Sequence, residues 1–593
     1  MSVSDRLFKL RSTLATLAVD AYVITGADPH LSEYLAEHWK FREYMSNFTG
    51  SAGTVVITGE EAGLWTDSRY FLQAEKELHD TGIDLYRMGE SDTPDYKDWL
   101  ISKLAPGSVI GVNGKTMSLD EYRNLSGKLK KADIRLDTKL FIEDDVWEGR
   151  IPVPEDEIFE LSTEYTGLSR VEKIEIVRQE MKKNNATHYV VGALDEIAWF
   201  LNFRGQDIDY NPVFHAYLVI SQNNVNLFVD PHKLTSAIGK QLSKENIKVF
   251  LYDDFYDFLK DIPTLSTVYI DPQRTNSSIY NFLPSQTTKI EKIGIITSLK
   301  GQKNTTEVLN IKKAMVKDGI AMVKFLHWLT KEVGQSSLTE LSAANKLREY
   351  RAEQDHYKGD SFNTISGYGP NGAIVHYAVS EESALPLQPK GLFLIDSGGQ
   401  YYEGTTDITR TVALGPLTEE EKRDFTLVLK GHIGLAVAKF PRGTRGVHLD
   451  ILARQALWNE GLNYGHGTGH GIGHFLNVHE GPQSIRPQDN GVVMEEGMIS
   501  SNEPGLYRSG KHGIRTENLI LTIKDQETEF GDFLKFETLT LCPIDLNAID
   551  ATLLSTKEKE WLNNYHQEVF EALESGLDTA RRDWLKTITD PLV

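Results

Sequence analysis

The first half of the chain alternates short apolar runs with amphipathic stretches, the pattern of strands set between helices. Residues 1–17 have the spacing of an amphipathic helix, and residues 21–25 follow as a buried strand. Residues 53–58 and 63–66 read as two strands joined through Gly59, Glu60 and Glu61. The run Ile151-Pro152-Val153-Pro154 favours extended backbone, because a proline disfavours the helical region for the residue before it. It marks a linker into a second α/β block, which echoes the first in order. Tyr22-Val23 answers to Tyr189-Val190, and Asn47-Phe48-Thr49-Gly50 to Asn202-Phe203-Arg204-Gly205. Residues 52–57 answer to 216–220, and Leu64-Trp65-Thr66-Asp67 to Leu227-Phe228-Val229-Asp230. A collinear series of this kind points to a duplicated α/β domain; two unrelated α/β units of similar strand composition are the alternative.

Near residue 303 the period changes. Thr305-Thr306-Glu307 caps a long helix with apolar residues at Val308, Ile311, Met315, Met322, Leu326 and Leu329, a spacing that makes one buried face. Strands are expected over residues 360–412, then a helix, a glycine- and histidine-rich stretch, and further strands to residue 523. From residue 530 a tail follows. In it Ser555 and Glu558 form a capping box, and Trp561, Leu562, Tyr565, Val569 and Leu573 stripe a helix face that needs a surface to cover it.

Composition narrows the classes. A chain of 593 residues exceeds one core and suggests about three or four domains. A net charge of −22 argues against nucleic acid or an anionic membrane as partner, since phosphate contacts need clustered Lys and Arg. Cys542 is the single cysteine, so neither an intrachain disulfide nor a thiolate metal cage is available. Asp5 and Arg11 interrupt the N-terminal apolar residues, which do not read as a signal peptide. No uncharged apolar run reaches the ~18 residues of a spanning helix, and a cytoplasmic enzyme is expected. Gly114-Lys115-Thr116 imitates the end of a phosphate-binding loop, but its first glycine would have to be Val109, so an NTPase is set aside.

The chemistry gathers around residues 465–482, GHGTGHGIGHFLNVHEGP, with His466, His470, His474 and His479 among glycines. Glycine lets backbone approach a ligand closely, and clustered imidazoles suit ligation or proton transfer; for any one of them a structural buried histidine is the plain alternative. Asp396, Asp407, Glu503 and Glu517 flank this stretch in apolar, strand-like contexts. Asp396 ends the run 392–395, and residues 405–412 return as a second β-rich run, so a hairpin would bring Asp396 and Asp407 to one end. An isolated buried charge is costly, and a metal ion is a strong partner for one. MISSNEP and IRTENLI each place a glutamate inside a strand-like stretch, where Glu is poorly favoured. Arg515 lies two residues before Glu517, so a buried Arg–Glu pair is the alternative there. Four carboxylates and one imidazole suit Mn²⁺, Co²⁺, Zn²⁺ or Fe²⁺. They suffice for two ions about 3.5–4 Å apart if some carboxylates bridge.

Asp396, Asp407, His470, Glu503 and Glu517 resemble, in order and context, the ligand pattern of the pita-bread metallopeptidases. Within that group the chain is similar to the aminopeptidase P family, the Xaa-Pro aminopeptidases of three-domain cytosolic type. The likeness runs through GTVVIT, TDSRYFLQAEKEL, DEIAWFLNFRG, NPVF, HGTGHG, FLNVHEGP, SNEPG, IRTEN and LNNYH. It implies an α/β (α+β) chain: an N-terminal α/β domain over 1–153, its duplicate over 154–302, a pita-bread catalytic domain over 303–528 and a C-terminal extension over 529–593, the first two creatinase-like. It implies a pair of divalent ions, Mn²⁺ first with Zn²⁺ or Co²⁺ possible, held by the five residues. A metal-bridging hydroxide would then cleave the bond before proline in Xaa-Pro peptides. Glu503 would shuttle the proton. His376 would meet substrate and the developing oxyanion, His466 and His479 would line the pocket, with His479 steadying the tetrahedral intermediate, and Arg69 would reach a longer peptide or a neighbouring site. His474 is left structural. A homodimer is also implied. Prolidase, and a non-catalytic peptide-binding module on the same scaffold, are the alternatives.

Overall fold

Ala21–Ile24 (β1), Thr54–Thr58 (β2), Ala62–Thr66 (β3), Asp84–Arg87 (β4), Val109–Val112 (β5) and Arg135–Asp137 (β6) are strands, joined in one sheet in the order β4-β3-β2-β1-β5-β6. His188–Val191 (β7), Ala216–Ser221 (β8), Val225–Val229 (β9), Ile247–Phe250 (β10), Thr267–Ile270 (β11) and Thr288–Glu291 (β12) make a second sheet in the order β10-β9-β8-β7-β11-β12. The computed structural model describes residues 1–593. Both sheets belong to one unit, Met1–Leu161 with Leu168–Thr297; Ser162–Gly167 with Ser298–Val593 form another.

The two sheets repeat one pattern. The first strand of each runs antiparallel to the second and parallel to the fifth, and the third runs parallel to the fourth. The matched tetrapeptides occupy matched places. Asn47 and Asn202 each end a helix in the left-handed conformation, with φ of 62° and 53°, which asparagine tolerates better than bulky residues do. Equal order, equal sense and an equal cap are hard to obtain from shared composition alone.

In the second unit α1, Thr305–Glu332, is capped one residue earlier than expected. Asn304 accepts the amides of Thr306 and Glu307, and Glu307 returns the bond, a reciprocal box. Ile311, Met315, Met322, Leu326 and Leu329 are buried along it, while Val308 stays partly exposed. Ile365–Tyr368 (β13), Leu392–Ser397 (β14) and Ile408–Ala413 (β15) form an antiparallel sheet. A larger sheet takes Lys439–Pro441 (β16), Gly469–Gly471 (β17), Glu480–Ile485 (β18), Ile499–Asn502 (β19), Asn518–Thr528 (β22) and Gly531–Thr538 (β23), in the order β16-β23-β22-β19-β17-β18. Gly505–Arg508 (β20) and His512–Arg515 (β21) make a separate pair. Helices Glu419–Ala436 (α2) and Gly446–Trp458 (α3) precede β17. α3 begins so close to β18 that a Cβ on Gly446 would lie 1.8 Å from the Ser484 carbonyl oxygen.

The tail begins as sheet: β23 pairs along β22. Thr556–Leu573 (α4) opens on the Ser555–Glu558 box. It buries Leu562, Tyr565, Val569 and Leu573 in one core with Phe425, Val428 and Leu429 of α2, and Trp561 remains at the edge. Arg410 of β15, 1% exposed, bonds this region to the centre. It donates to Glu517 O (2.7 Å), Asn518 Oδ1 (2.8 Å), Cys542 O (2.8 Å), Pro543 O (3.0 Å) and Tyr565 OH (3.0 Å). Replacing it by methionine would take the guanidinium donors from buried acceptors, of which Cys542 O and Asn518 Oδ1 would keep only Tyr565 OH, a loss on the order of 3–5 kcal/mol. We expect Arg410→Met to lower the apparent melting temperature by several degrees in circular dichroism; an unchanged midpoint would show the network to be dispensable.

Candidate metal centre and active site

Two rungs of sheet deliver the acids. Asp396 of β14 faces Thr409 of β15, and Asp407 stands one residue ahead of β15. Asn502, the last residue of β19, pairs with Asn518, the first of β22, and Glu503 and Glu517 are the next residues outward. Both glutamates therefore lie in two-residue breaks, Glu503-Pro504 and Thr516-Glu517, rather than inside strands as their apolar surroundings suggested. Pro504 has no N–H with which to continue a ladder. The N–H of Glu517 instead donates to Thr409 O at 3.2 Å, joining the two sheets at this point. His470 lies in β17, beside β19.

Ligand atoms of Asp407, His470 and Glu517 all fall within 4.8 Å of one another. His470 Nε2 is 3.5 Å from Asp407 Oδ2 and 3.5 Å from Glu503 Oε1. Its Nδ1 lies 3.0 Å from Gly471 O; a proton on Nδ1 donates there and leaves the Nε2 lone pair turned to the acids. Ser501 Oγ accepts the His470 N–H (3.0 Å) and donates to Glu503 Oε1 (3.2 Å). Thr409 Oγ1 donates to Glu517 Oε2 at 2.7 Å.

Asp396 is oriented differently. Its Oδ2 accepts Arg515 Nη2 at 2.6 Å, while its buried Oδ1 has no hydrogen-bond partner. Arg515 thus pairs with Asp396, not with the Glu517 that its sequence spacing suggested. The strand ends at Arg515, so the same-face rule stops applying before Glu517. Arg515 also donates to Tyr507 OH (2.5 Å), Thr409 Oγ1 (3.1 Å) and Val375 O (3.4 Å).

Burial holds Asp407 and Glu517 well above the usual carboxylate range, and neighbouring carboxylates add to it: Asp396 and Glu503 for Asp407, Asp407 and Glu503 for Glu517. Glu503 is pushed up to about 7, first by burial, with Arg515 opposing and Asp396 reinforcing the shift. Acids held together this way require protons or cations. With the orphaned Asp396 oxygen and one imidazole nitrogen, the donor set fits hard or borderline divalent ions.

The remaining candidates divide. The His479 ring stands perpendicular to that of His470, with centroids 4.4 Å apart. His466 Nε2 lies 2.8 Å from Tyr507 OH. His376 follows Val375, whose carbonyl takes Arg515. His474 is 1% exposed. Arg69, in the other unit, forks onto Asp67 with two 2.8 Å bonds. Thr409, Ser501 and Tyr507, which hold these groups, were not singled out by sequence; short hydroxyl residues in strands carry no signal apart from their partners.

Residues 6–141 and 149–307 match models of the creatinase/prolidase N-terminal domain, 310–524 metallopeptidase family M24, and 532–592 the C-terminal region of that peptidase family. A probable Xaa-Pro aminopeptidase P of Laccaria bicolor is 40% identical over 608 residues, spanning 100% of this chain and 94% of that protein. Xaa-Pro aminopeptidase ApepP of Drosophila melanogaster is 40% identical over 97% of this chain and 96% of its own length. Among solved structures, an X-prolyl aminopeptidase of Caenorhabditis elegans, described as a cytosolic enzyme with a di-nuclear active site, is 35% identical and superposes with a TM-score of 0.96 over 100% of both chains. The two α/β domains and the pita-bread catalytic domain expected from the sequence are the fold found.

The raised acids fix a pH dependence. From the ordinary carboxylate value of 4.5 up to about 7 for Glu503, the folded chain binds more protons than the unfolded one, so its stability falls as pH rises through that window. We expect chelator-treated protein to melt progressively lower over that range. Mn²⁺ should restore it most at the alkaline end, by about 2.7 kcal/mol at a hundredfold excess over Kd. Calorimetry showing no response to divalent ions at mildly alkaline pH would contradict the centre.

Proposed function

This chain belongs to metallopeptidase family M24, and on that premise we propose that it is an Xaa-Pro aminopeptidase, releasing the first residue of peptides whose second residue is proline. One observation carries the reading. Donors of Asp407, His470 and Glu517 gather within 4.8 Å, with Glu503 beside them, in a chain similar to Xaa-Pro aminopeptidases along its whole length. Asp396, Asp407, His470, Glu503 and Glu517 would hold two divalent ions, Mn²⁺ first, with Zn²⁺ or Co²⁺ as alternatives. Bound there, such ions would supply an acidified water as nucleophile and a positive field at the scissile carbonyl.

The chain's own groups do the rest. Glu503, whose Oε1 lies 3.5 Å from His470 Nε2, would take a proton from the attacking water and return it to the proline nitrogen as the bond breaks. His479, against the His470 ring, donates to the carbonyl oxygen as negative charge grows there. His376 would meet the substrate and share the developing oxyanion with His479, His466 would line the pocket, and Arg69 would reach a longer peptide or a neighbouring active site. A tertiary amide offers no N–H, so a pocket without an acceptor at that point favours proline.

We take the chain as four parts, 1–153, 154–302, 303–528 and 529–593, acting as a homodimer through the third part and the tail. The nematode enzyme's cytosolic description supports a cytoplasmic setting. No helix is long and apolar enough to cross a membrane. The charge of −22 argues against nucleic acid as a partner.

With Mn²⁺ supplied, the protein should release the first residue from an Xaa-Pro-Pro peptide, followed by chromatography; cleavage of Xaa-Pro dipeptides alone would make it a prolidase. Asp407→Asn should cut kcat/KM by more than ~100-fold, since even changes one shell outside a metal cost up to that much. In chelator-treated protein its melting temperature should not fall, because the change removes a carboxylate that is costly to ionise there. Turnover near the unaltered protein's would refute the ligand assignment.

A further inference from the structure

Residues 465–471 alternate Gly465, Gly467, Gly469 and Gly471 with His466, Thr468 and His470. Such a segment has wide conformational freedom and few side chains to anchor it. Its far end is fixed by sheet: the Thr468 N–H donates to Ile485 O and the Glu503 N–H donates to Thr468 O, both at 2.8 Å. Its near end lies outside the strands, with His466 Nε2 2.8 Å from Tyr507 OH.

A helix supplies the hold. Asp450 and Arg454 stand one turn apart on α3, each 2% exposed, with Arg454 Nε donating to Asp450 Oδ2 at 2.6 Å. Arg454 Nη1 donates to Tyr464 O (2.7 Å) and Asn463 Oδ1 (3.2 Å), and Nη2 to His466 O (2.7 Å). The guanidinium carbon lies 3.9 Å from the Tyr464 ring centre. Asp450 Oδ1 accepts Thr468 Oγ1 at 2.6 Å, and that hydroxyl lies 2.5 Å from Tyr464 OH. The carbonyls on either side of Gly465, the Tyr464 ring and the Thr468 hydroxyl thus all rest on one buried ion pair. An apolar pair of equal volume is often as stable as such a pair. What apolar residues cannot do is take two carbonyls and a carboxylate in one plane, which the guanidinium fork can.

We infer that the Asp450–Arg454 pair is a positioning device for His466, setting the loop geometry on which peptide turnover depends. The inference rests on the catalytic reading above. Neither residue belongs to the metal-donor group, so the pair acts through the loop.

Arg454→Lys keeps the charge but gives up the planar fork; Thr468→Val removes one anchor and leaves the pair whole. Both should fold and carry the unaltered protein's metal content by elemental analysis. With an Xaa-Pro-Pro peptide and Mn²⁺, kcat/KM should fall ~10–100-fold for Arg454→Lys, the scale of a misplaced positioning group, and less for Thr468→Val. His466→Ala supplies the decisive arm. In that background Arg454→Lys should cost less than about threefold, because the group it positions is already gone. Full additivity of the two losses, or a lowered melting temperature with unchanged turnover, would overturn the inference and leave the pair structural. An inert His466→Ala would overturn it too. If Arg454→Lys does not fold, Thr468→Val in the same two backgrounds decides by the same criteria. A parent protein that cleaves no Xaa-Pro peptide sinks the catalytic reading and this inference together; additivity in an active parent sinks the inference alone.

Discussion

Like charges packed out of water govern how the catalytic unit is built. Asp407 and Glu517 are buried and lie near Asp396 and Glu503, and each raises the cost of ionising the next. No gain in folding stability would gather them, because buried carboxylates without cations lose hydration and repel. The backbone forces the meeting. The Asp396–Thr409 and Asn502–Asn518 rungs are set by sheet register before any side chain is consulted. Hydroxyls of Thr409 and Ser501 then aim the glutamates, and Arg515 neutralises one Asp396 oxygen while the other stays bare. The remaining charge is what divalent ions would balance.

Strand β15 shows how this is reconciled with a stable fold. Its side chains alternate, as strand geometry requires. Thr409 turns to Glu517 and Arg515, and Thr411 Oγ1 accepts the Arg515 N–H and donates to its carbonyl oxygen. Arg410, between them, turns to the opposite side and bonds Cys542, Pro543 and Tyr565. One short strand therefore carries the charged centre on one face and the C-terminal region on the other. The carbonyl of Glu517, a residue of the centre, is itself held by Arg410.

What the sequence could reveal follows from the range of each interaction. The long helix, its capping box and the stripe on α4 depend on neighbours within a few residues, so period and cap chemistry sufficed, apart from the one-residue shift to Asn304. The acids stood out because glutamate and aspartate are anomalous in apolar strands. The partners of Arg515 and Arg410 were not legible. Arg515 lies 119 residues from Asp396, and Arg410 lies 155 from Tyr565, so only the folded register brings them together. Asp450 and Arg454, four apart on a helix, look in sequence like an ordinary surface pair; burial alone sets them apart. For Arg69 the motif DSRY was legible, but its fork onto Asp67 was not.

The magnitudes say why the region beyond residue 530 is integral to this unit. Each unbalanced buried charge costs several kcal/mol. Burying one leucine- or valine-sized side chain returns about 1.5–3 kcal/mol. Leu562, Tyr565, Val569 and Leu573 of α4, with Leu585 beyond it, fill the same core as Phe425, Val428 and Leu429. A few such contacts offset a strained carboxylate, and Tyr565 doubles as the hydroxyl that Arg410 bonds. The helix that needed a covering surface thus provides both the apolar burial and one of the polar contacts behind the acids. A catalytic sheet shorn of it would hold its charges on a less stable frame, and lose the far anchor of the strand that aims Glu517.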